Sequence, residues 1–512
     1  MKTAFDYIVI GSGSGGSAVA RRLHDAGADV AVIEAGKSTF GVAEIEDPSA
    51  WFGLQSGAWD WGHHYTPTER VLNRDIPIPR GKGLGGSSAT NAMMWYRGVP
   101  ADYARWDAVA PGWSWDDCLP SFKACETWQG GETALRGGDG PLQITRPDPD
   151  HPLAQAMLKG GADMGLPVVE DPNGPEPIGV SLANFNISPE GLRWTSAMGY
   201  LGPIMASERL TILCETRALA LTFSGDHASG VRVYKDGAEH LLTARSGVIL
   251  AAGALETPRL MMLSGIGDEA ELSRLGLKTR LHAPEIGRNL QDHPLLRALN
   301  FRASSPLGPM KGNGGGTLSI WKSAPELDQA DLLAFPIQTR SAVPALSDHY
   351  DLDGDVFAIG LGVMRSYSKG WITLTGTAPD DPLNIQPNLL SDPRDLKALV
   401  AGVEFLLDMV LTPGFSHLFA DFVAPDRRVS GEDAVTFVRR ACSTFFHCCG
   451  TAQMGTHIDA PVSPRLGVKG VRDLWVADAS VIPDIPACHT HAPVTMIGER
   501  AAQFILEDAC LT

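Results

Sequence analysis

An apolar run that ends in four closely spaced glycines constrains this chain more than any other feature. Phe5-Asp6-Tyr7-Ile8-Val9-Ile10 leads without a gap into Gly11-Ser12-Gly13-Ser14-Gly15-Gly16. Ser17-Ala18-Val19-Ala20-Arg21-Arg22-Leu23 follows with apolar residues at helical spacing, and a second apolar run, Val30-Ala31-Val32-Ile33, ends in Glu34. The order is strand, glycine turn, helix, strand, acid. Gly11 permits a tight turn, Gly13 lets the backbone approach a pyrophosphate, and Gly16 lets helix and strand pack closely. The helix N-terminus then presents free N–H groups and a partial positive charge, a setting for phosphates. Glu34 lies 18 residues after Gly16 (34 − 16), where a carboxylate accepts hydrogen bonds from ribose hydroxyls. An acid there favours an unphosphorylated ribose, hence FAD or NAD rather than NADP.

At 512 residues the chain is long enough for about three units at ~150 residues each, fewer if domains are discontinuous. Hydrophobic content of 44% and charged content of 20% are those of a globular protein. A formal net charge of −17 argues against nucleic acid or an anionic membrane surface as partner. No stretch approaches the ~20 apolar residues of a membrane helix. The first strand begins at Phe5, which leaves no room for a signal peptide, so a cytoplasmic location is expected. The eight cysteines show no CxxC pair and no zinc spacing, so free thiols and no metal are expected. The neighbours Cys448 and Cys449 read as small buried residues.

Segments with nucleotide-fold character recur in three places. The middle one holds Gly247-Val248-Ile249-Leu250-Ala251-Ala252-Gly253-Ala254, a strand running into another glycine turn. Between them, residues 176–188 and 355–375 contain short runs such as Trp371-Ile372-Thr373-Leu374-Thr375, which signal antiparallel strands. The expected class is α/β with an α+β insert. A discontinuous Rossmann-like domain (1–155, 206–300 and 440–512) would accompany a substrate domain on an antiparallel β-sheet (156–205 and 301–439). Gly312-Asn313-Gly314-Gly315-Gly316 reads as a surface connector.

Four further blocks narrow the chemistry. Pro79-Arg80-Gly81-Lys82-Gly83-Leu84-Gly85-Gly86-Ser87-Ser88-Ala89-Thr90-Asn91 packs glycines and hydroxyls into a short turn. Gly253-Ala254-Leu255-Glu256-Thr257-Pro258-Arg259-Leu260 continues to Leu263-Ser264-Gly265-Ile266-Gly267. Near the C-terminus stand Phe446-His447-Cys448-Cys449-Gly450-Thr451 and Val476-Ala477-Asp478-Ala479-Ser480, the latter leading to Cys488-His489-Thr490-His491. Together with Gly287-Arg288-Asn289-Leu290-Gln291-Asp292-His293, these blocks resemble the glucose–methanol–choline (GMC) oxidoreductases, FAD enzymes, nearly end to end. The resemblance implies that FAD contacts Gly11, Gly13, Ser14, Gly16 and Glu34. It adds Gly83, Gly86, Ser87, Asn91 and Ala92 in the second glycine block, and Asp478 and Ala479 near the C-terminus. In some relatives a histidine just before the block's asparagine is tethered covalently to the flavin. Thr90 stands there and has no imidazole, so non-covalent FAD is expected.

The resemblance also places two side chains on the substrate face of the flavin. They match His447 and, counting back from Met496-Ile497-Gly498-Glu499-Arg500, His489, 42 residues on (489 − 447). Oxidising an alcohol requires removal of the hydroxyl proton and transfer of a hydride from carbon to flavin N5. A neutral imidazole suits the first task at neutral pH, and a second imidazole can hold the alkoxide. His491 could share a face with His489 in an extended segment and competes for that slot. His63, His64 and His293 read as structural, and Phe445, Phe446 and Trp95 as either a substrate wall or ordinary core. The expectation is FAD-dependent oxidation of a primary alcohol, ring-attached or not, to the aldehyde, with oxygen or another acceptor taking the electrons. The alternative is a redox-silent FAD lyase of the hydroxynitrile lyase type.

Overall fold

Three of these apolar runs lie side by side in the computed structural model, which describes residues 2–511. Strand Ala4–Ile10 sits between Val30–Ile33 and the end of Ala238–Leu250, all parallel, with Ile8 aligned to Ala31 on one side and Val248 on the other. Leu210–Leu213 extends the sheet beyond Val30–Ile33, and Leu474–Val476 extends it beyond Val248–Leu250. The runs are continuously apolar because both sheet faces are covered. Helix Ser14–Asp25 packs between the sheet and the C-terminal helix His491–Leu511. The long strand Ala238–Leu250 serves two neighbourhoods. Its first half pairs antiparallel with His227–Lys235, which pairs with Arg217–Ser224.

The parallel strands all point the same way, so Ile10, Ile33, Leu250 and Val476 end on one edge. Gly11, Glu34, Ala251 and Asp478 emerge there, where open α/β sheets bind their ligands.

The second sheet is antiparallel throughout. Its order is Phe419–Ala424, Pro294–Ala303, Val356–Val363, Leu332–Ile337, Thr317–Trp321, Gly179–Leu182, with Cys442–Thr444 also paired to Pro294–Leu296. Strand Pro294–Ala303 runs across residue 300 and helix Pro152–Asp163 across residue 155, two positions where the sequence suggested boundaries. Both elements pack with the antiparallel sheet. Trp371–Leu374 lies outside that sheet and pairs only with Leu383–Gln386.

An aromatic cluster anchors the C-terminal helix. Trp113 makes edge contacts with Trp106 (6.0 Å) and Phe504 (6.0 Å), and the Arg500 guanidinium lies 4.8 Å from the Trp113 ring centroid. This anchorage fixes where His489 and His491 emerge at the helix start. Among the described residues no helix is long and apolar enough to cross a membrane.

Candidate active site

A single cleft runs from the edge of the parallel sheet to the face of the antiparallel sheet. At its first end Gly11 has φ +102°, and a Cβ there would sit 2.3 Å from the Ala251 carbonyl oxygen, so only glycine fits. Behind it, a Cβ on Gly16 would meet the Gly11 carbonyl oxygen at 2.1 Å, which enforces the close approach of helix to turn. Gly13 differs: nothing lies within 4 Å of where its Cβ would be. That open space faces the start of helix Ser14–Asp25, which no side chain caps. Uncapped N–H groups beside an open glycine fit a pyrophosphate.

Glu34 is buried, and burial raises its carboxyl above the ordinary range against the hydrogen bonds that lower it. Ser12 Oγ donates to its Oε2 (2.5 Å) and the Gly36 amide to its Oε1 (2.9 Å). The carboxylate reaches the cleft with acceptor capacity to spare for ribose hydroxyls. Ser12, which the sequence reading passed over, also accepts from the Gly85 amide (3.0 Å) through its hydroxyl and so ties the two glycine blocks together.

Of the second block, Gly86, Ser87, Asn91 and Ala92 line the cleft, as do Ser14, Asp478 and Ala479. Gly83 and Gly16 stand behind it. A Cβ on Gly83 would press on Thr39 (3.1 Å) and Trp59 (3.2 Å), so its role is packing. Asp478 is engaged on every side: it accepts from Gly253 N (2.8 Å), Thr257 Oγ1 (2.6 Å), Ser480 N (2.8 Å) and Ser480 Oγ (2.6 Å). It therefore clamps Gly253–Leu263 to the C-terminal segment and leaves the neighbouring backbone to face the cleft. Thr90 also lines the cleft.

At the other end the histidines gather. The His447 and His489 rings meet edge to face at 5.3 Å, and Phe445 stacks on His447 at 4.6 Å. Both His489 nitrogens are buried with no protein group bonded to them, which leaves them available to a ligand in the cleft. His491 instead joins Ser14 Oγ through Nδ1 at 2.7 Å, at the glycine-turn end of the cleft. His293, read from sequence as structural, touches the pair directly: its Nδ1 lies 2.9 Å from His447 Nδ1. Burial holds His293 and His489 down at about 3. Burial, with His293, His489 and Arg80 nearby, holds His447 well below the usual imidazole value, so it is a neutral base.

One buried carboxylate fixes this cluster. Asp292 Oδ1 accepts from the amides of His293 and His447 (2.8 Å each), and its Oδ2 accepts from Tyr65 Oη (2.6 Å) and Thr444 Oγ1. Cys448 lies 3.2 Å from the Tyr65 hydroxyl, and burial pushes its thiol up to about 12, so no thiolate forms. His63 lines the cleft but is held by Glu256 at 3.2 Å, and exposed His64 pairs with Asp75. Phe445 and Phe446 line the cleft, whereas Trp95 is core, its indole donating to Glu126 (2.8 Å). The 312–316 loop is no free connector: Asn313 accepts from Trp51 Nε1 (2.8 Å) and donates to the Ala92 carbonyl (2.5 Å).

The pattern of the GMC oxidoreductases matches this chain in two parts, residues 5–295 and 366–498. A pyridoxine 4-oxidase of Microbacterium luteolum is 35% identical over 511 aligned residues, spanning 97% of this chain and 98% of its own. The mitochondrial choline dehydrogenase of Homo sapiens is 32% identical, spanning 98% and 89%. The crystal structure of pyridoxine 4-oxidase from Mesorbium loti superposes with a TM-score of 0.92 at 30% identity, over 97% of this chain and 98% of that one. With the dinucleotide end, the histidine end and these relatives in agreement, the chain belongs to the GMC oxidoreductases, enzymes that oxidise alcohols with FAD.

Proposed function

We propose that this enzyme oxidises a primary, ring-attached alcohol to the aldehyde, with His447 as the base and His489 as the second partner of the substrate oxygen. The observation that carries this reading is the edge-to-face histidine pair at 5.3 Å, closing a cleft whose far end is the glycine turn. FAD would be held without a covalent bond by the Gly11–Gly16 turn, Glu34 and the Gly86–Ala92 segment, and when bound it supplies the two-electron acceptor for the alcohol.

The Nδ1–Nδ1 contact between His293 and His447 requires one donor and one acceptor. With His447 Nδ1–H as the donor, His293 Nδ1 accepts, and the His447 Nε2 lone pair is left to take the hydroxyl proton. Either unpartnered nitrogen of His489, as N–H, can hold the resulting alkoxide. Phe335 and Phe445, whose ring centroids are 5.5 Å apart, supply the apolar wall for a ring. The relatives' names support an alcohol such as pyridoxine, and none of the names quoted supports the lyase alternative. Division of the chain into nucleotide and substrate domains along the two sheets is part of the same reading.

Anaerobic mixing of the yellow holoenzyme with a panel of alcohols, pyridoxine included, tests it. A substrate bleaches the flavin, and His447→Ala slows bleaching about 10²–10⁴-fold, the usual contribution of a positioned base. A near-normal rate in that variant removes His447 as the base. Re-oxidation with and without air then identifies the electron acceptor.

A further inference from the structure

Strand Pro294–Ala303 carries a second feature into the cleft beyond the histidines. Successive residues of a strand alternate faces, so Leu295 and Arg297 follow His293 on one side. Leu295 and Arg297 both line the cleft. The Arg297 guanidinium donates from Nε to Ser341 Oγ (3.2 Å) and from Nη1 to Gln55 Oε1 (2.8 Å), and lies 5.5 Å from the Phe52 ring. Its Nη2 has no protein acceptor, and among the described residues no carboxylate pairs with it. Most other arginines near the cleft have an acid: Arg217 and Arg259 share Glu256. Burial without a countercharge holds Arg297 down at about 10. Half-buried in the cleft, with its free Nη2 unpaired, the guanidinium is placed to receive an anionic oxygen from a ligand.

The surroundings define the ligand's shape. Gly360 pairs with both Arg297 and Phe335, and a Cβ there would strike the Phe335 ring at 2.5 Å. Gly362 makes room for Phe445 in the same way. Two flat rings thus stand between Arg297 and His447. At ~3.3 Å per residue, Arg297 is about 13 Å along the strand from His293, and Leu295 faces the cleft between them, a length that can take one substituted ring.

We propose that Arg297 is a specificity-determining residue that binds an anionic oxygen of the substrate, a carboxylate or an acidic phenol, on the side of the ring remote from the alcohol. The proposal rests on the alcohol-oxidation reading for its geometry. It selects against alcohols carrying a quaternary ammonium, which meets a cation here, while the acid beside the histidines, Asp292, is already taken up by four donors.

The test compares wild type, Arg297→Met and Arg297→Lys as FAD-loaded enzymes. In anaerobic flavin reduction at pH 8, wild type should prefer 4-(hydroxymethyl)benzoate or the acidic phenol 4-(hydroxymethyl)-2-nitrophenol over benzyl alcohol at least about tenfold. That preference ratio should fall about ten- to a hundredfold in Arg297→Met and only partly in Arg297→Lys, as expected for a charge-assisted pair. The two anionic arms separate carboxylate from phenol. A binding measurement needs no turnover: benzoate should perturb the flavin absorbance of wild type at concentrations at least about tenfold lower than benzamide. If benzoate discriminates but no alcohol bleaches the flavin, the anion site stands and the alcohol reading falls. If alcohols bleach the flavin with no preference for an anion, or if Arg297→Met leaves the ratio unchanged, the anion site is overturned. Should Arg297→Met fail to hold FAD, Arg297→Lys and the wild-type benzoate comparison decide.

Discussion

Replacing Asp292 tests whether one carboxylate fixes the histidine cluster by its geometry. Four donors converge on it: the amides of His293 and His447 on one oxygen, the hydroxyls of Tyr65 and Thr444 on the other. In Asp292→Ala the hydroxyls can rotate, and Tyr65 already has Cys448 Sγ within 3.2 Å. The two amides cannot turn. At about 1–3 kcal/mol for each buried donor left unpaired, the loss is about 2–6 kcal/mol. The strain falls on Phe446, at φ +65°, and on the His447 backbone beside it. A displacement of ~1 Å at a catalytic base is enough to cost about 10²-fold in rate. Asp292→Asn should behave differently. Its amide oxygen can still accept from both backbone N–H groups, while the hydroxyls reverse and accept from its NH₂. The assay is anaerobic flavin reduction beside the temperature at which flavin is released. Asp292→Ala should reduce flavin at least about a hundredfold more slowly and release it at lower temperature, with Asp292→Asn within about tenfold of wild type. Equal damage in both variants would show that charge, not acceptor geometry, holds the loop.

Other outcomes follow from the same contacts. Acid precipitation should leave all flavin in the supernatant, because Thr90 cannot form the tether; yellow protein in the pellet would contradict this. Glu34→Ala should weaken FAD binding by about 1.5–3 kcal/mol without slowing reduction of the flavin that remains, measured by titration at limiting FAD. His489→Ala should slow flavin reduction, whereas His491→Ala, through the lost Ser14 contact at 2.7 Å, should weaken FAD retention; reversed phenotypes would exchange their roles. The pH dependence has a definite sign. His293 and His489 are held at about 3 against an ordinary 6.5, so the unfolded chain takes up protons that the folded chain refuses. Stability is full above pH ~6.5 and falls as the pH drops through that value toward 3, while the base stays neutral and kcat/KM shows no acid limb near 6.5. An acid limb centred near 6.5 would contradict the buried, neutral assignment of His447.

Features encoded locally were open to reading from sequence, and features made by distant contact were not. The unit from Phe5 to Glu34 is contiguous, and its strand, glycines, helix and acid follow one another at fixed short spacings. Its turn, uncapped helix and buried acid could therefore be inferred from spacing alone. The two candidates near the C-terminus were separable only in part. His489 and His491 are two residues apart, and what distinguishes them is Ser14, more than 470 positions earlier in the chain. Gly83 and Asp478 show the converse. Both belong to blocks that build the cleft, yet one packs behind it and the other spends its carboxylate on clamping two segments.

Segment 291–297 explains why the substrate end stayed hidden longest. An antiparallel strand declares its facing through alternation of apolar and polar residues, but Pro294–Ala303 is buried on both faces except at Arg297 and Arg302. With no alternation, nothing in the sequence says that His293, Leu295 and Arg297 share a side. Nor does it say that Gly360 and Gly362, on the neighbouring strand, are gaps into which Phe335 and Phe445 lean. The histidines at the reacting end could be located because their blocks are long and ordered along the chain. In the proposed reading, recognition of the substrate's remainder depends on one arginine with no acid paired to it among the described residues, a property of the packed sheet and of no local run of residues.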